Sequence, residues 1–419
     1  MSSSALQKDN NEDKVVDVCV VGAGMSGLAA SQYLAQSNLT FTLLEAKGRI
    51  GGRFKAHADR NFVYDEGAHW LHCAERNPLV EMLRPQSPDY IKTPVDTYFA
   101  TPTRFLDELE NKQIWKYYNK VWSQVAKVAS ERKRDRAIST LAADQRWQPF
   151  FNSVFASTVG SLPDEVSIRD LANYVDSEID FAVESGLGSE LTRAFSSIPV
   201  QFNHKVIEIE RGELVRISTQ TGQTISARSC LLTVSPPVMK KIKFSPSLPA
   251  SHQDALDEIK MGLLETIALE FYDDVFGGRD NVHLFLGTSQ SPQLSYLIKP
   301  GGRNFAVAYF GGEALRSIAG DRDRLLDTAL KQLALLYDFD GKKELWRAAH
   351  SNWTQDEDVM GGLSYTPVGH SRARCDLRTS IDGQLFFAGE ATSITGAASL
   401  HGAYEEGVRA AKEIMDRWM

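Results

Sequence analysis

The N-terminal part of the chain combines an apolar run, a glycine turn and a helical pattern. Residues 15–21 form a β-branched apolar run that is typical of a buried parallel strand. An alanine- and leucine-rich helix is predicted over residues 27–36, and a second strand over residues 41–44, directly before Glu45. Strand, helix and strand within about thirty residues predict a βαβ unit with a parallel sheet.

Helical patterns dominate from residue 77 to about residue 185. Asn77 is a good N-cap and Pro78 a good first helical residue, so a helix is predicted to begin there. A long amphipathic helix is predicted from residue 114, because apolar residues recur at helical spacing. Those positions are Ile114, Tyr118, Val121, Trp122, Val125 and Val128.

Strand patterns return in the second half of the chain. Short apolar strands are predicted over residues 206–209, 214–217, 230–234, 266–271, 293–298, 305–310 and 385–387. A helix is predicted over residues 322–337, and a last helix from about His401. Strand-rich and helix-rich blocks alternate, which favours two domains that are each built from separate pieces of chain.

These patterns predict an α/β protein. A Rossmann-type dinucleotide-binding domain is predicted to comprise residues 15–76, 190–252 and 375–419. A second domain is predicted to comprise residues 77–189 and 253–374. The first fourteen residues are polar and lack the apolar region of a secretory signal, so they are predicted to be a disordered leader.

Charge and cysteine content narrow the function classes. The 419 residues carry a formal net charge of −8, which argues against a nucleic-acid partner. The cysteines Cys19, Cys73, Cys230 and Cys375 lie far apart without C-x-x-C spacing, so no metal site and no disulfide framework is predicted. No apolar stretch approaches the ~20 residues of a membrane span. We therefore expect a cytoplasmic protein with reduced thiols, no bound metal and no membrane contact.

Gly22, Gly24 and Gly27 form a G-x-G-x-x-G turn between the first predicted strand and helix. Gly22 permits the tight turn, Gly24 lets the backbone approach a pyrophosphate, and Gly27 allows close packing of helix on sheet. The helix N-terminus, which includes Ser26, offers unpaired N–H groups to phosphates. Glu45 lies at the end of the second predicted strand. A carboxylate at this position of a dinucleotide-binding fold accepts hydrogen bonds from the ribose hydroxyls and repels a 2′-phosphate. The turn alone fits FAD and NAD equally.

The residues after the second predicted strand separate these two cofactors. Residues 45–53 resemble the E-A-x-x-R-x-G-G-R signature of the flavin-containing amine oxidase superfamily, to which monoamine and polyamine oxidases belong. Arg49 and Arg53 are expected to offset phosphate charge, and Gly51 and Gly52 to let backbone lie against the isoalloxazine ring. The resemblance therefore implies FAD.

Further motifs of this superfamily follow in the same order along the chain. They are residues 67–72 (resembling G-A-x-W-I-H), 233–237 (T-V-P), Trp353 with 361–365 (W…G-S-Y), 387–392 (F-A-G-E-x-T) and 400–404 (H-G-A). The resemblance thus extends from residue 15 to the C-terminus. It implies the amine-oxidase architecture, in which a glutathione-reductase-like FAD domain adjoins a substrate domain of mixed β-sheet flanked by helices.

The resemblance also implies which residues contact the cofactor. Glu390 is expected at the ribityl or pyrophosphate region, and the last helix is expected to direct its N-terminus at the flavin pyrimidine, stabilising negative charge there. The implied cofactor positions are Gly22, Gly24, Ser26, Gly27, Glu45, Ala46, Arg49, Gly51, Gly52, Arg53, Gly67, Ala68, His69, Trp70, Val206, Trp353, Tyr365, Gly389, Glu390, Ser399, Leu400 and Ala403.

Three departures from the superfamily pattern bear on the chemistry. Leu363 stands where monoamine oxidases carry the cysteine that attaches FAD, so non-covalent binding is expected. Thr266 replaces a lysine that many members hold near flavin N5, which puts fast reaction of the reduced flavin with oxygen in doubt. Gly396 and Ala397 stand where polyamine oxidases carry one or two tyrosines. Either the cavity is wider and the substrate bulkier, or another ring, such as Trp70, Trp353 or Tyr404, closes it.

The superfamily reaction assigns candidate roles to the remaining residues. The substrate amine must be neutral to react, so a proton acceptor is useful. His72 is the leading candidate because it aligns with the histidine of W-I-H; His69 and His401 are alternatives. Trp353 is expected to be an aromatic wall, and Thr266 completes the predicted catalytic set. The predicted substrate positions are His72, Trp70, Gly396, Ala397 and Tyr404.

The favoured function is oxidation of the C–N bond of an amine, by hydride transfer to flavin N5, giving an imine and, with oxygen, hydrogen peroxide. One alternative is another flavin oxidoreductase on the same scaffold, such as a desaturase or a tailoring enzyme of secondary metabolism, acting on a bulkier substrate. A flavin-stabilised binding protein is a third. Oxygen or another electron acceptor, and a homodimer, stay open as partners.

Overall fold

The structure of the protein is a computed structural model that describes residues 15–59, 62–86, 88–92, 96–131, 134–177, 179–278, 280–288 and 293–419. The predicted leader, residues 1–14, lies outside the described residues.

The strands, in chain order, are β1 (Val16–Val21), β2 (Phe41–Leu44), β3 (Ala56–Asp59), β4 (Phe62–Asp65), β5 (Trp70–Leu71), β6 (Tyr90–Lys92), β7 (Thr97–Thr101), β8 (Arg104–Phe105), β9 (Phe181–Val183), β10 (Val206–Arg211), β11 (Val215–Thr219), β12 (Thr224–Leu232), β13 (Lys243–Ser245), β14 (Lys260–Gly262), β15 (Leu264–Phe271), β16 (Val282–Leu286), β17 (Gln293–Ile298), β18 (Phe305–Gly311), β19 (Leu345–His350), β20 (Leu363–Tyr365) and β21 (Leu385–Phe387).

The α-helices are α1 (Met25–Leu34), α2 (Pro78–Leu83), α3 (Glu108–Ser130), α4 (Gln148–Val159), α5 (Ile168–Leu171), α6 (Leu187–Ala194), α7 (Pro236–Met239), α8 (Ala250–Glu258), α9 (Arg322–Tyr337), α10 (Gly341–Glu344), α11 (Ala373–Arg378) and α12 (Leu400–Trp418).

The first large sheet carries the predicted βαβ unit. Its strand order is β13–β10–β11–β12–β1–β2, and β21 also pairs with β12. β1 is parallel to β12 and β2, whereas β10, β11 and β12 form an antiparallel meander. Val18 and Val20 pack with α1 and α12, and Cys19 and Val21 pack with α8 and α11. Both faces of β1 are therefore covered, which explains its apolar run from Val18 to Val21 and confirms the Rossmann-type prediction.

The second large sheet is mixed. Its strand order is β19–β15–β18–β17–β16–β7–β8, and its neighbours are antiparallel except for the parallel pair β16 and β7. α9 packs on it through Leu325, Ala329 and Leu333, and Ser153 of α4 donates to Leu294 O at 3.1 Å. The prediction of a mixed sheet with flanking helices is confirmed.

Small sheets lie between these two. β5, β9 and β6 form one in that order, and β5 runs antiparallel to β9 with Trp70 opposite Ala182 and Leu71 opposite Phe181. This pairing joins the segment around residue 70 to the chain that follows the helical block. The predicted boundaries of the two discontinuous domains stay a prediction.

The prediction that helices dominate residues 77–185 is wrong for the strands β6, β7, β8 and β9, which lie there. These strands have two to five residues, too few to show a period, and β7 pairs with the distant β16. The apolar pattern also does not predict β16 or β19. α3 begins at Glu108 rather than at residue 114, because Asp107 and Glu110 form a capping box.

All four cysteines are free; Cys375 is exposed, whereas Cys19, Cys73 and Cys230 are buried. Cys19 and Cys230 lie opposite each other in β1 and β12. A hydrogen bond between these two thiols, together with burial, raises the pKa of Cys19, which makes it unreactive. Among the described residues, no helix has the length and apolarity to cross a membrane, and no three His, Cys, Asp or Glu side chains cluster as metal ligands.

Candidate active site

The glycine turn between β1 and α1 is closed toward the sheet. Gly22 has a φ of +101°, and a Cβ on it would lie 3.0 Å from Thr233 Oγ1. A Cβ on Gly27 would lie 1.9 Å from the carbonyl oxygen of Gly22. At Gly24, by contrast, no heavy atom of the described chain lies within 4 Å of the place that a Cβ would take. A phosphate-binding loop requires this arrangement, in which backbone is exposed on one side only.

The first turn of α1 offers hydrogen-bond donors to a ligand. Its first bond runs from Leu28 N to Gly24 O at 3.0 Å, so the N–H groups before Leu28 have no partner within the helix. The buried hydroxyl of Ser26 also has no hydrogen-bond partner in the described part of the chain. A buried polar oxygen without a partner is costly, and pyrophosphate at a helix N-terminus would satisfy it. These residues therefore fit the pyrophosphate of FAD.

Glu45 follows β2 and is buried beside this turn. Its Oε2 accepts from Ala23 N at 2.8 Å, and its Oε1 accepts from Lys47 N at 2.9 Å. Burial raises the pKa of Glu45, against the opposing effect of these two bonds. Each oxygen keeps a further lone pair, so the carboxylate retains capacity for ribose hydroxyls. His204 N donates to Glu45 O at 2.8 Å, which brings Val206, at the start of β10, to the same end of the sheet.

The Gly-Gly pair of the second motif packs directly on the first turn. Gly51 N donates to Ala23 O at 2.7 Å, and a Cβ on Gly52 would lie 3.3 Å from Gly24 Cα. Arg49 donates to Gly52 O at 3.0 Å. The two glycine segments therefore form one continuous backbone surface around Gly24.

Arg53 and Glu390 form an ion pair of 2.8 Å that joins this surface to the C-terminal motif. Glu390 Oε2 accepts from Ser364 Oγ at 2.6 Å and from Ala398 N at 3.1 Å. Burial alone would raise the pKa of Glu390, but Arg53 and Arg374 hold it below its usual range. Part of the Arg53 charge is thus neutralised within the protein, and its predicted action on phosphate stays a prediction.

The N-terminus of α12 lies beside the same region. Ser399 caps it by accepting from Gly402 N at 3.0 Å, and Leu400 and Ala403 lie in its first turn. A Cβ on Gly407 would lie 2.1 Å from the carbonyl oxygen of Ser26. α12 is therefore in backbone contact with the first turn of α1, and the cofactor positions predicted at the two ends of the chain are neighbours.

Three distant segments meet at the backbone of Glu66 and Gly67. Trp353 Nε1 donates to Glu66 O at 2.9 Å, and Thr266 Oγ1 donates to the same oxygen at 2.8 Å. A Cβ on Gly67 would lie 2.0 Å from Arg53 O and 3.1 Å from Trp353 Cζ2. The predicted wall Trp353, the predicted catalytic Thr266 and the glycine-rich segment thus surround one peptide.

Glu265 holds the backbone of Trp353 in place. This buried carboxylate accepts from Trp353 N at 3.1 Å and from Thr354 N at 2.6 Å, and Ser351 Oγ donates to it as well. Ser351 Oγ in turn accepts from Thr266 N at 2.8 Å. The loop that carries Trp353 is therefore tied to β15 by a buried charge.

His69 directly precedes β5, and Trp70 is the first residue of that strand. His69 Nδ1 lies 3.1 Å from Asp65 Oδ2, and Asp65 also accepts from the first two amides of α6. The ring of Trp70 meets the rings of His69 and His283 edge-on, at centroid distances of 4.8 and 5.4 Å. Burial lowers the pKa of His283 to about 4, so its imidazole is neutral at physiological pH.

His72 pairs with a carboxylate 108 residues further along the chain. Its Nδ1 lies 3.0 Å from Asp180 Oδ2, and its side chain is 42 % exposed. Asp180 Oδ1 accepts from Cys73 N at 3.1 Å. Burial alone would raise the pKa of Asp180, but the bonds from His72 and from Cys73 N hold it below its usual range.

His401, unlike His72, is buried. Its ring centroid lies 6.3 Å from that of Tyr174, and its Nε2 lies 3.3 Å from Ser399 Oγ. Burial, aided by the charge of His72, lowers the pKa of His401 to about 4. The imidazole is therefore neutral at physiological pH.

The structure separates the predicted substrate positions. A Cβ on Gly396 would lie 2.9 Å from Gly402 Cα and 3.1 Å from His401 Nε2, so a ring cannot start from this position. Ala397 is half-buried in the same tight loop. Tyr404 lies elsewhere, in a surface groove that it lines with Arg76, Pro78 and Glu405 among others.

The side chain of Tyr365 lies in the helical block. Its hydroxyl donates to Glu165 Oε2 at 2.8 Å, and its ring packs with Val121 and Phe155. Ser364 points to Glu390, and neighbouring residues of a strand point to opposite faces. The side chain predicted to contact the cofactor therefore lies on the face away from Glu390.

Asp180, Glu265 and the backbone of Glu66 are absent from the residues that the motifs predict. Glu265 leaves a signal, since it is a charged residue in the mostly apolar strand β15, where it is only 2 % exposed. Asp180 leaves none, because it precedes a strand of three residues in a region with a helical pattern.

Two family models match the chain. One, described as flavin containing amine oxidoreductase, matches residues 130–415, and one of an NAD(P)-binding Rossmann-like domain matches residues 20–84. The chain belongs to the flavin-containing amine oxidase family. It is an FAD-dependent amine oxidoreductase.

Polyamine oxidases are among the similar proteins. Polyamine oxidase 3 of Oryza sativa subsp. japonica is 29 % identical over 442 residues, which cover 94 % of this chain and 88 % of the relative. Polyamine oxidase 2 of Arabidopsis thaliana is 27 % identical over 458 residues, covering 94 % and 87 %. The structure of putrescine oxidase bound to putrescine matches with a TM-score of 0.81 at 18 % identity, covering 96 % of this chain and 100 % of that chain. This last likeness shows the shared fold.

Proposed function

We propose that this protein oxidises the C–N bond of a polyamine or diamine and that His72 accepts the proton of the substrate ammonium. When bound, FAD accepts a hydride from the carbon beside the amine nitrogen, so that the product is an imine that water hydrolyses. The substrate class is supported by the relatives, which are named polyamine oxidases and align over nearly the whole chain.

One observation carries this proposal: the meeting of Arg53, Thr266 and Trp353 at Glu66 and Gly67. The glycine surface that fits FAD is thereby in contact with the segment of residues 67–72, which includes β5 and His72. A cofactor on that surface and a substrate beside His72 are neighbours as a result.

The cofactor is proposed to be held by the open side of the glycine turn. Gly24 and Ser26 would face the pyrophosphate, Glu45 and Val206 the adenosine, and the N-terminus of α12 the flavin. Leu363 leaves no thiol for covalent attachment. We expect acid precipitation to release the flavin, and flavin that stays on the precipitated chain would contradict this.

His72 is suited to proton transfer by its exposure. Amines of this class are protonated at neutral pH, as lysine side chains are, and an ammonium has no lone pair to support hydride loss. Because 42 % of the His72 side chain is exposed, a substrate can reach it, whereas His401 is buried. Removal of a general base lowers rates by about 10²- to 10⁴-fold.

The experiment is anaerobic bleaching of the flavin by a panel of amines in stopped flow. We expect putrescine, spermidine or spermine to reduce it, and His72→Ala to slow reduction at least about 100-fold with full FAD content. The matched control is His370→Ala, since His370 has the same 42 % exposure and pairs with Glu258 at 2.8 Å. Equal slowing in both variants, or none in His72→Ala, would remove His72 from the mechanism.

A second function keeps its support in Thr266. Because this position lacks the lysine of many superfamily members, the alternative is another flavin oxidoreductase on the same scaffold, such as a desaturase or tailoring enzyme. If no amine bleaches the flavin while amide-containing metabolites do, this alternative replaces amine oxidation.

A further inference from the structure

The carboxylate of Asp180 clasps His72 at two points. One oxygen meets the imidazole Nδ1 at 3.0 Å, and the other accepts from the backbone N–H of Cys73 at 3.1 Å. Asn77 Nδ2 donates to His72 O at 2.8 Å, at the carbonyl of the same His72–Cys73 peptide. The ring of His72 and the peptide group that follows it are thus held.

The sheet register explains why these residues meet. Leu71 of β5 lies opposite Phe181 of β9 in an antiparallel pair. The residue after Leu71 and the residue before Phe181 therefore face each other, and they are His72 and Asp180. Cys73 then turns the chain with a φ of +54°, which a residue with a Cβ adopts only where contacts hold it.

The ionised carboxylate determines which ring nitrogen carries the proton. A carboxylate only accepts hydrogen bonds, and the pKa of Asp180 is held below its usual range. The hydrogen on the 3.0 Å contact therefore belongs to Nδ1, so in the neutral imidazole the lone pair lies on Nε2.

We propose that Asp180 is a positioning residue that holds His72 in the Nδ1–H tautomer, so that Nε2 accepts the proton of the substrate ammonium. This inference rests on the proposed role of His72. The proton passes from R–NH₃⁺ to Nε2, leaving R–NH₂ with its lone pair, and the imidazolium that forms lies beside the carboxylate, which offsets its charge. The proton then leaves to solvent through the exposed side of the ring.

Asp180→Asn is the sharpest substitution. The amide oxygen would keep the bond from Cys73 N–H, so the NH₂ group would face Nδ1 and force the proton to Nε2. The same change of charge at a catalytic dyad, with geometry preserved, costs a serine protease about 10⁴ in turnover through the wrong tautomer. Here we expect flavin reduction to slow at least about 100-fold, with FAD content and melting temperature as in the parent. Asp180→Glu should retain more activity than Asp180→Asn, and Glu75→Gln, an exposed loss of charge three residues from His72, should retain all of it.

The tautomer itself is measured by long-range ¹H–¹⁵N NMR on FAD-loaded protein with ¹⁵N-labelled histidine, with His72→Ala identifying the signal. We expect protonated Nδ1 in the parent and protonated Nε2 in Asp180→Asn. A parent His72 that carries its proton on Nε2 overturns the inference, and it does so even if the variant does not fold. If the parent shows the Nδ1–H tautomer but His72→Ala reduces its flavin at the parent rate, the placement of Asp180 stands and the proposed function of His72 falls.

Discussion

The two sides of the site are built differently. On the cofactor side, the contacts that shape the surface are backbone to backbone: Gly27 meets Gly22, Gly51 meets Ala23, and Gly407 meets Ser26. On the substrate side, the contacts are made by side chains such as His72 and Asp180.

This difference decides what each side tolerates. A backbone contact leaves no room for a Cβ, so the residue type is fixed at each glycine. A side-chain contact only requires compatible donors and acceptors, so different residues can build it. We infer that the cofactor side carries the family property and that the proposed substrate side carries what distinguishes this chain, as Thr266 illustrates.

The largest effect should come from the two glycines of the turn. Gly27→Ala places a Cβ 1.9 Å from a carbonyl oxygen and should destabilise the fold by about 3 kcal/mol, the upper end of overpacking costs, and abolish FAD binding. Gly24→Ala meets open space at a φ of −74°, so it should keep the apoprotein's stability and weaken FAD binding alone. Urea unfolding of the apoproteins and flavin fluorescence titration measure both. Equal behaviour of the two variants would contradict a turn that is closed on one side and open on the other.

How much the sequence predicts follows the same division. The G-x-G-x-x-G turn, Glu45 and the Asn77 cap are local, because their partners lie within a few residues or in a recurrent motif. The parallel strand β1 is predictable because both its faces are covered, so its residues from Val18 to Val21 are all apolar.

The remaining features depend on pairing between distant segments. β7 joins its sheet by pairing with β16, which lies far from it along the chain. The pairing of β5 with β9 brings Asp180 to His72 in the same way. Strands this short have no period, so neither pairing is visible before the fold is known. The sequence shows that Gly396 stands where polyamine oxidases carry a tyrosine. Only the structure shows that His401 occupies the space beside this glycine.

A smaller effect should appear in the stability of the fold at acidic pH, through the buried His401. His401 has a folded-state pKa of about 4, below the ordinary value near 6.5. The unfolded chain therefore binds this proton first, and the stability of the fold falls as pH drops from about 6.5 to 4. Between pH 6.5 and 4.5, the free energy of unfolding of His401→Gln should fall by about 2 kcal/mol less than that of the parent, as measured by urea unfolding. His370→Gln, on the surface, serves as the control, and parallel curves for His401→Gln and parent would contradict a buried neutral imidazole.

The smallest effect concerns the rate at which oxygen reoxidises the reduced flavin. Two substitutions at Thr266 distinguish the effect of side-chain charge from that of side-chain size. The superfamily lysine would place an ammonium near the reduced flavin, where it stabilises the negative charge that develops on oxygen, and Thr266 supplies none. We expect slow reoxidation of the reduced parent in stopped flow, and a gain of about tenfold in Thr266→Lys, which is about 1.4 kcal/mol of barrier. Thr266→Met has a similar length without charge and should gain nothing, so a gain in both variants would assign the effect to the lost bond with Glu66 O. A parent that already reacts fast, and is unchanged by lysine, would show that the substrate side has replaced the lysine by other means.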